Sequence, residues 1–356
     1  MSLVNYSRLG NLGNTCYQNA VLHPLIHTPG GFIEFVMSGH YLDCMEEKKH
    51  EQIYQTLIFQ FHRILNSIFK NNNSRLDINT WKKLVGEKNV FFEGSEQQDA
   101  HEFLSYIIDK MAEEVGTKIK FVSTKKINID NFTFNSKLLN IQADNQWNKF
   151  LHKKYSIMIP LFTGMFRTKL TYLDSNAQTN NFVPFNVFPL PIPQGKDEVG
   201  LVECLKEFNK DEKLDKENLV KGKLSYGKSF AQKQESIWKL PKYLIFNLKR
   251  FKYNNFGQIS TKDSTLVKYP LELDMKHFID SESKYNKLEH KYQLYGITLH
   301  HGVMMGGFSA GHYVSYVKNR TDNNWYLYND DHTPIKIEPT NIINSSAYLL
   351  FYARKD

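Results

Sequence analysis

Apolar positions follow a helical spacing in the first half of the chain and an alternating spacing in the second half. The clearest helical stripe predicts an amphipathic helix packed on a core, and its members are Ile53, Leu57, Phe61, Ile64 and Ile68. From Phe162 onward, alternation predicts strands over residues 166–172, Tyr243–Leu248 and 292–299. Helices followed by a strand-rich half predict an α+β fold.

The length of 356 residues suits one multi-lobed domain better than one simple core. No internal repeat divides the chain. The stretch 118–145 is polar and rich in asparagine, which predicts an irregular excursion between the helical half and the first strands. We therefore expect a single domain over residues 1–356.

The charge and cysteine content narrow the class of protein. The net charge is +8, but the lysines are scattered and no nucleic-acid motif accompanies them, so a solvated surface is favoured over a nucleic-acid partner. Three cysteines form no even disulfide framework, which favours a reducing compartment, cytoplasmic and/or nuclear. No apolar run is long enough to span a membrane and no leader pattern opens the sequence, so no membrane partner is expected.

Cys16 is the first candidate for chemistry. It follows a polar, glycine-containing loop, and Asn14 resembles an N-cap that would place Cys16 in the first turn of a helix. The N–H groups and dipole of a helix start favour a thiolate. Pro24 should kink or end this helix after about two turns. Asn11 could donate to a developing oxyanion. The plain alternative is a buried, inert thiol.

His312 is the candidate base. Residues 302–311 read as a glycine-rich loop and residues 313–317 as an alternating strand, so His312 would lie at their junction with its ring exposed. A tight turn at residues 321–324 would bring the next strand alongside. A base needs an orienting partner, and that partner is then Asn329, Asp330 or Asp331.

Four sequence blocks now point to a family. They are NLGNTCYQN at 11–19, QQDAHEFL at 97–104, LPKYLIFNLKRF at 240–251 and the segment 295–317, which residues 325–330 follow. In this order they resemble the ubiquitin-specific proteases (ubiquitin carboxyl-terminal hydrolases), papain-like cysteine peptidases that remove ubiquitin from proteins. The separation of Cys16 and His312 suits a family catalytic domain without large insertions.

The resemblance implies a role for each matching residue of the catalytic centre. Cys16 would be the nucleophile and His312 the general base. Asn329 falls at the third position of the triad, and Asp330 is an adjacent acid that would assist. Asn11 falls at the oxyanion-hole position.

The resemblance also implies residues that bind the ubiquitin tail, which ends in Arg-Gly-Gly. Gln97 and Asp99 are tail-binding candidates and Glu102 is a helper, since carboxylates suit the arginines of the tail. The walls of a narrow channel for the two glycines would come from Phe251, Tyr253, His301 and Tyr313. Residues 252–261 and 302–311 fall where the family has two mobile loops over this channel.

The family fold has thumb, fingers and palm subdomains, expected here at about 1–155, 156–240 and 241–356, with the active site between thumb and palm. Many members hold zinc in the fingers with two Cys-x-x-Cys pairs. Here Gly222 and Ser225 fall at the second pair, and the first pair is missing too. No metal and no other cofactor are therefore expected.

The expected partners are ubiquitin and ubiquitinated proteins. The chain is most like the small members of the family, which are weak alone and stimulated by a β-propeller partner, so a β-propeller activator is a further expectation. Two alternatives stay open: a protease for another ubiquitin-like modifier, and a catalytically weak or silent ubiquitin-binding scaffold.

Overall fold

The structure is a computed structural model. It describes residues 8–45, 49–70, 75–117, 119, 136–153, 155–214, 220–221, 228–253, 259–305 and 308–355. In this part of the chain, the α-helices are α1 (Cys16–Ile26), α2 (Gly31–Met37), α3 (His50–Tyr54), α4 (Leu57–Lys70), α5 (Asn79–Lys88), α6 (Ala100–Glu114), α7 (Ser136–Lys153), α8 (Met158–Phe162) and α9 (Leu201–Phe208).

The strands are numbered in the same way along the chain. They are β1 (Arg8–Leu9), β2 (Arg75–Leu76), β3 (Gly164–Tyr172), β4 (Gln178–Phe185), β5 (Phe188–Leu190), β6 (Glu198–Gly200), β7 (Glu212–Lys213), β8 (Val220–Lys221), β9 (Lys228–Ser229), β10 (Ala231–Lys239), β11 (Tyr243–Leu248), β12 (Phe251–Tyr253), β13 (Ile259–Lys262), β14 (Leu266–Lys268), β15 (Glu272–Asp274), β16 (Lys291–Met305), β17 (Phe308–Lys318), β18 (Trp325–Tyr328), β19 (Ile335–Ile337) and β20 (Ala347–Arg354).

Two sheets dominate the strand-rich half. An eight-stranded sheet runs in the order β19-β18-β17-β16-β20-β11-β5, with β15 paired to β16. A four-stranded antiparallel sheet runs in the order β4-β3-β10-β7. Helices α1 to α6 precede both sheets in the chain, so the predicted α+β class is confirmed.

The centre of the eight-stranded sheet is buried on both faces. In β11, Tyr243 and Ile245 pack with the helices, whereas Leu244 and Phe246 pack into a second core on the opposite face. Neighbouring strand β20 alternates in the same way. Burial on both faces explains why β11 is a continuous apolar run in the sequence.

Helix α1 packs between α6 and the strands β16 and β17, and all of its residues are buried. Pro24 does not end it after two turns, because the helix continues to Ile26. Pro24 has no N–H for the carbonyl of Ala20, and that carbonyl instead accepts a hydrogen bond of 2.9 Å from the hydroxyl of Thr298 in β16. The proline is thus accommodated by the strand on which the helix packs.

Two expectations about loops were wrong. Residues 302–305 and 308–311 belong to strands β16 and β17, so His312 lies inside a strand and not at a loop-to-strand junction. In the second stretch, 118–145, residue 118 and residues 120–135 lie outside the described residues, and residues 136–145 form the first half of α7. This helix buries Leu139 and Ala143 against β3, β4 and β10. Burial of that apolar face stabilises a helix whose polar residues suggested a loop.

The four-stranded sheet falls in the range expected for the fingers, and an ion-pair cluster attaches it to the rest of the molecule. Arg167 of β3 is buried and contacts Asp280 at 2.9 Å and Glu282 at 2.7 Å. Strand β5, also in that range, belongs instead to the eight-stranded sheet, and α9 packs on that sheet. The subdomain boundaries stay a prediction.

For metal sites and membrane-spanning helices, the findings concern the described residues only. Among them, no three histidine, cysteine or acidic side chains lie together as a metal site would require. Gly222 and Ser225 lie outside the described residues. In the same described ranges, none of the helices is both long and apolar enough to cross a bilayer.

Candidate active site

The loop before α1 presents the thiol at the first position of the helix. Cys16 begins α1, as predicted, and is 4% exposed. The predicted cap was wrong: Thr15 is the N-cap residue, while Asn14 adopts a left-handed backbone with φ of 51°. The Asn14 amide donates to the carbonyl of Ser95 at 2.8 Å, which ties the loop to the segment before α6.

His312 of β17 stands between Cys16 and Asn329. Its Nε2–H donates to Oδ1 of Asn329 over 2.7 Å, and the ring also forms a side-chain hydrogen bond with Cys16. The bond to Cys16 is the main reason that the pKa of His312 rises to about 9; burial opposes the rise and Asn329 adds to it. An imidazolium held beside a thiol favours the thiolate, the form that attacks a carbonyl.

Asn329 reaches His312 because β18 pairs antiparallel with β17. Ser315 lies opposite Tyr328, so the same register places Asn329 opposite Val314, two positions from His312 on the same face of β17. The turn predicted at 321–324 is confirmed by a hydrogen bond of 2.8 Å from the amide of Asn319 to the carbonyl of Asn324. Of the three candidate orienters, Asn329 is therefore the one bonded to the imidazole.

Asp330 does not hydrogen-bond to His312 and acts on its pKa only through charge. Its carboxylate accepts bonds from the amides of Asn11 at 2.9 Å and Asn19 at 2.8 Å. Its carbonyl also accepts from the amide of Leu9. The next acid, Asp331, pairs with Arg75 at 3.2 Å on the surface. Asp330 therefore fixes the cysteine loop and helix α1 to the end of β18.

Hydrogen bonds to both ends of its side-chain amide hold Asn11 at the start of α1. Its Oδ1 accepts from the backbone amides of Gly13 and Thr15, at 3.1 and 3.2 Å, and one N–H of its Nδ2 donates to Asp330. An amide nitrogen carries a second N–H. The backbone N–H of Cys16 stands at the helix start, where such groups lack intrahelical acceptors.

Gln97 bridges from the segment before α6 to β17. Its Nε2 donates to the carbonyl of Gly311 at 3.0 Å, and its Oε1 accepts from the amide of Gly311 at 3.1 Å. Gly311 immediately precedes His312. Both polar atoms of this candidate for tail binding thus bond to the main chain of β17 in this structure.

Asp99 and Glu102 lie together at the start of α6. Asp99 is the N-cap: its Oδ1 accepts from the amides of His101 and Glu102, and its Oδ2 accepts from the hydroxyl of Tyr348 at 2.6 Å. Burial and the charge of Asp99 raise the pKa of Glu102. Asp99 is therefore a structural cap as well as a candidate for tail binding.

Aromatic side chains form a wall beside these acids. The ring of Phe251 packs edge-on against His300 and Tyr348, at 5.3 Å each, and Tyr313 lies 4.6 Å from His300. His301 is exposed and lies directly opposite His312 on the paired strands. The side chain of Tyr253 lies outside the described residues. Phe251 and Tyr313 are thus brought together, with His300 and Tyr348 added.

A cavity of about 620 Å³ opens between this wall and α6, and we call it the tail cleft. Asp99, Glu102, Phe251 and Tyr348 line it, together with residues of β11 and the segment 189–194. Cys16 and His312 are not among its lining residues, but Tyr348 of the lining packs 6.1 Å from Tyr313, the residue that follows His312.

Comparison with known proteins agrees with this geometry. The family model described as ubiquitin carboxyl-terminal hydrolase matches residues 7–352. The chain belongs to the ubiquitin carboxyl-terminal hydrolase family. It is 27% identical to ubiquitin carboxyl-terminal hydrolase 5 of Saccharomyces cerevisiae, over 97% of this chain and 44% of that protein. It is 29% identical to human ubiquitin carboxyl-terminal hydrolase 2, over 97% of this chain and 54% of that protein. The chain therefore spans about half the length of these curated relatives.

Solved structures show the same fold as this family member. The chain matches the SAGA Ubp8/Sgf11/Sus1/Sgf73 DUB module bound to ubiquitin aldehyde with a TM-score of 0.70 and 23% identity, over 98% of this chain and 70% of that chain. It matches the Ubp8-Sgf11-Sgf73-Sus1 SAGA DUB module with a TM-score of 0.67 and 24% identity, over 98% and 68%. These likenesses concern the fold.

Sequence reasoning missed several residues that complete the site of this family member. Asn19 stands in the cysteine block, three positions after Cys16, and that spacing on a helix could have indicated a second buried amide near the thiol. Tyr348 and His300 stand within strand patterns and carry no local signal of their roles.

Proposed function

We propose that this chain is a thiol-dependent deubiquitinase that hydrolyses the isopeptide or peptide bond after the C-terminal glycine of ubiquitin. The observation that carries the proposal is the line from Cys16 through His312 to Asn329, in which the base is bonded on both sides. Family membership supports the substrate class. The related Ubp8 module was solved with ubiquitin aldehyde, which supports ubiquitin as the partner.

The proposed reaction has two stages. The Cys16 thiolate attacks the glycine carbonyl carbon, and the resulting oxyanion accepts hydrogen bonds from Nδ2 of Asn11 and the amide of Cys16. His312 gives its proton to the leaving amine, the C–N bond breaks, and a thioester remains. Water then loses a proton to His312 and attacks the thioester, which releases the ubiquitin carboxylate and the thiol.

Selectivity for a tail that ends in two glycines follows from the tail cleft. Its wall, to which Phe251 and Tyr348 contribute, is proposed to admit only a thin peptide. Asp99 and Glu102 are proposed to contact the preceding arginine, because a guanidinium favours carboxylate oxygens. Its charge would also lower the pKa of Glu102, which burial and Asp99 raise in the free protein.

Release of a fluorophore from the C-terminus of ubiquitin tests this function. Wild type should turn over, and Cys16→Ala and His312→Ala should each lose at least about a hundredfold in kcat/KM, the scale for removing a catalytic group. Cys44→Ala is the matched control, because Cys44 is an exposed free thiol away from the site. Binding of ubiquitin without turnover would instead identify a scaffold, and neither binding nor turnover would favour another ubiquitin-like modifier.

Dependence on an activator is a separate proposal. The related Ubp8 was solved in a module with Sgf11, Sgf73 and Sus1, which supports partner dependence for a chain of this fold. For this chain a β-propeller partner is proposed, docked on the four-stranded sheet. We expect the isolated chain to be weak and to gain activity with such a partner. Full activity alone, unchanged by the partner, would refute the dependence.

A further inference from the structure

The hairpin formed by β16 and β17 extends beyond its neighbours in the sheet. Strand β20 pairs with β16 only as far as Leu299, and β18 pairs with β17 only from Ser315 to Lys318. The two arms continue to pair with each other up to Met305 and Phe308. His312 therefore lies on a projecting hairpin, at a position where the neighbouring strands have ended.

A lysine takes the place of a strand along the β16 edge. Lys262 of β13 donates from Nζ to the carbonyl of His300 at 2.6 Å and to that of Gly302 at 3.4 Å. These two carbonyls point to the same side, as residues two apart in a strand do. The ammonium group satisfies acceptors that a paired strand would otherwise occupy.

A glutamine takes the corresponding place along the β17 edge. The Gln97 amide gives and accepts one hydrogen bond with the main chain of Gly311. This is the pattern that a residue of a neighbouring antiparallel strand would make. Lys262 and Gln97 come from opposite walls of the site, one from β13 and the other from the segment before α6.

The residues between these two contacts determine where the ring of His312 stands relative to Cys16. His301 stands between the carbonyls that Lys262 binds, and it lies directly opposite His312. Gly311 lies so close to the ring of His300 that a Cβ there would overlap it. A shift of either arm would therefore move the imidazole relative to Cys16. Displacements of about 1 Å in such a constellation reduce rates by roughly a hundredfold.

We propose that Lys262 and Gln97 are positioning residues for His312, each replacing a missing strand along one edge of the projecting hairpin. The inference rests on the proposed function, because it takes His312 as the base of Cys16. Neither side chain is required to touch the substrate for this role. Both act through the main chain of the hairpin.

Two rates measured on the full chain test the proposal. One is hydrolysis of the ubiquitin–fluorophore substrate, resolved into kcat and KM. The other is alkylation of Cys16 by iodoacetamide at neutral pH, followed by mass spectrometry, which needs no ubiquitin and depends on His312 through the thiolate. The variants are Lys262→Met and Gln97→Met, which keep the side-chain length and remove the hydrogen bonds.

We expect both variants to lower kcat and the alkylation rate by roughly ten- to a hundredfold, with a smaller change in KM. Lys262→Arg should recover most of the loss, because a guanidinium can donate to the same two carbonyls. The matched controls are Lys268→Met, at an exposed position of β14, and Gln98→Met, next to Gln97; both should behave as wild type.

Two results would overturn the inference. One is unchanged kcat and alkylation in both variants. The other is a rise in KM alone, which would make Gln97 and Lys262 contacts of the substrate. Should Lys262→Met fail to fold, the exposed Gln97 still decides the question. Wild-type protein that alkylates quickly at Cys16 but never cleaves ubiquitin would refute the proposed function, while the alkylation rates would still test the positioning role.

Discussion

Among single residues, Asp330 shows how one side chain joins distant parts of the site. Its carboxylate binds two asparagine amides that are held by different elements, the cysteine loop and helix α1. It is 7% exposed and has a left-handed φ of 46°. The backbone turn directs the carboxylate toward α1, while the preceding Asn329 points at His312. One turn thus serves both the nucleophile and the base.

Asp330→Asn should destabilise the protein by about 1–3 kcal/mol, because the new amide would oppose the donors of Asn11 and Asn19. The kcat should fall as well, since Asn11 would lose its orientation. Asparagine tolerates the left-handed backbone, which separates the effect from strain. Asp331→Asn is the control and should change stability by about 0–1 kcal/mol, since its pair with Arg75 is exposed. Urea unfolding measures both, and equal losses would contradict the assignment.

Asn329 should be replaceable by an acid but not by a small apolar residue. Asn329→Ala removes the acceptor that orients His312 and should lower kcat/KM by roughly a hundredfold or more. Asn329→Asp keeps the acceptor and should stay within about tenfold of the wild-type kcat/KM.

The wild-type alkaline limb of the pH–rate profile should lie near pH 9, where the imidazolium of His312 loses its proton. A carboxylate at 329 should move that limb upward, since an anion favours the cation. A downward shift would contradict this.

The sequence predicts such residues only where the pattern that indicates them lies within a short stretch of the chain. The polar loop and glycine pattern around Cys16 and His312 are local, so both could be named. The partners of Asp330 could not be found in this way, because Asn11 lies 319 positions away. The incorrect N-cap has a physical cause too: the Asn14 side chain bonds to Ser95 and is withdrawn from the helix end.

Among elements, α1 depends on β16 for a hydrogen bond that its own sequence removes. The carbonyl of Ala20 would normally accept from the residue at position 24, which is proline. Thr298 supplies the replacement from β16, and Gly296 of the same strand lets Pro24 approach closely. Helix and strand are thus matched at two positions.

This matching predicts a double-mutant cycle. Thr298→Val keeps the shape and removes the donor, so it should destabilise the protein by about 1–3 kcal/mol. Adding Pro24→Ala supplies an N–H four residues after Ala20 and should recover part of that loss. Thr298→Ser is the conservative control and should stay close to wild type. Urea unfolding gives the four free energies, and strict additivity would show that the two positions do not share the carbonyl.

The two incorrect predictions have the same cause: in each, a loop was predicted from the types of residue and not from their spacing. Glycines at 302 and 311 suggested a loop, yet they serve close approach within a hairpin, as the contact of Gly311 with His300 shows. Asparagine suggested a loop at 136–145 as well. There, the spacing of Leu139, Ala143 and Trp147 by four residues was the better signal, since it marks one face of a helix.

At the scale of the whole molecule, two histidines in and after α1 are buried in their neutral form. The ring of His23 stacks on Tyr328 at 4.2 Å, and His27 contacts the hydroxyl of Tyr328 at 3.2 Å. Burial lowers the pKa of His23 well below its ordinary value and that of His27 to about 3. The folded state therefore binds fewer protons than the unfolded chain in mild acid.

Stability should consequently fall as the pH drops below the ordinary histidine pKa. In the unfolded chain both rings gain a proton near pH 6.5, whereas in the fold they resist protonation down to about pH 3 for His27. Each histidine should reduce the free energy of unfolding by about 1 kcal/mol between about pH 7 and pH 5.5. His23→Phe should keep the stack on Tyr328 and flatten the slope. Urea unfolding at the two pH values tests this, and equal slopes would contradict the assignment.

The burial of α1 also has a consequence for protein synthesis. The helix that carries Cys16 is synthesised about 300 residues before β16, β17 and β18, the strands that provide His312 and pack on the helix. At translation speeds of about 5–20 residues per second, that interval lasts on the order of tens of seconds. During this interval, the apolar helix that carries the Cys16 thiol lacks the strands against which it is buried in the fold. The nascent polypeptide should therefore engage chaperones at α1 during this interval, and it should gain peptidase activity only after β18 has been synthesised.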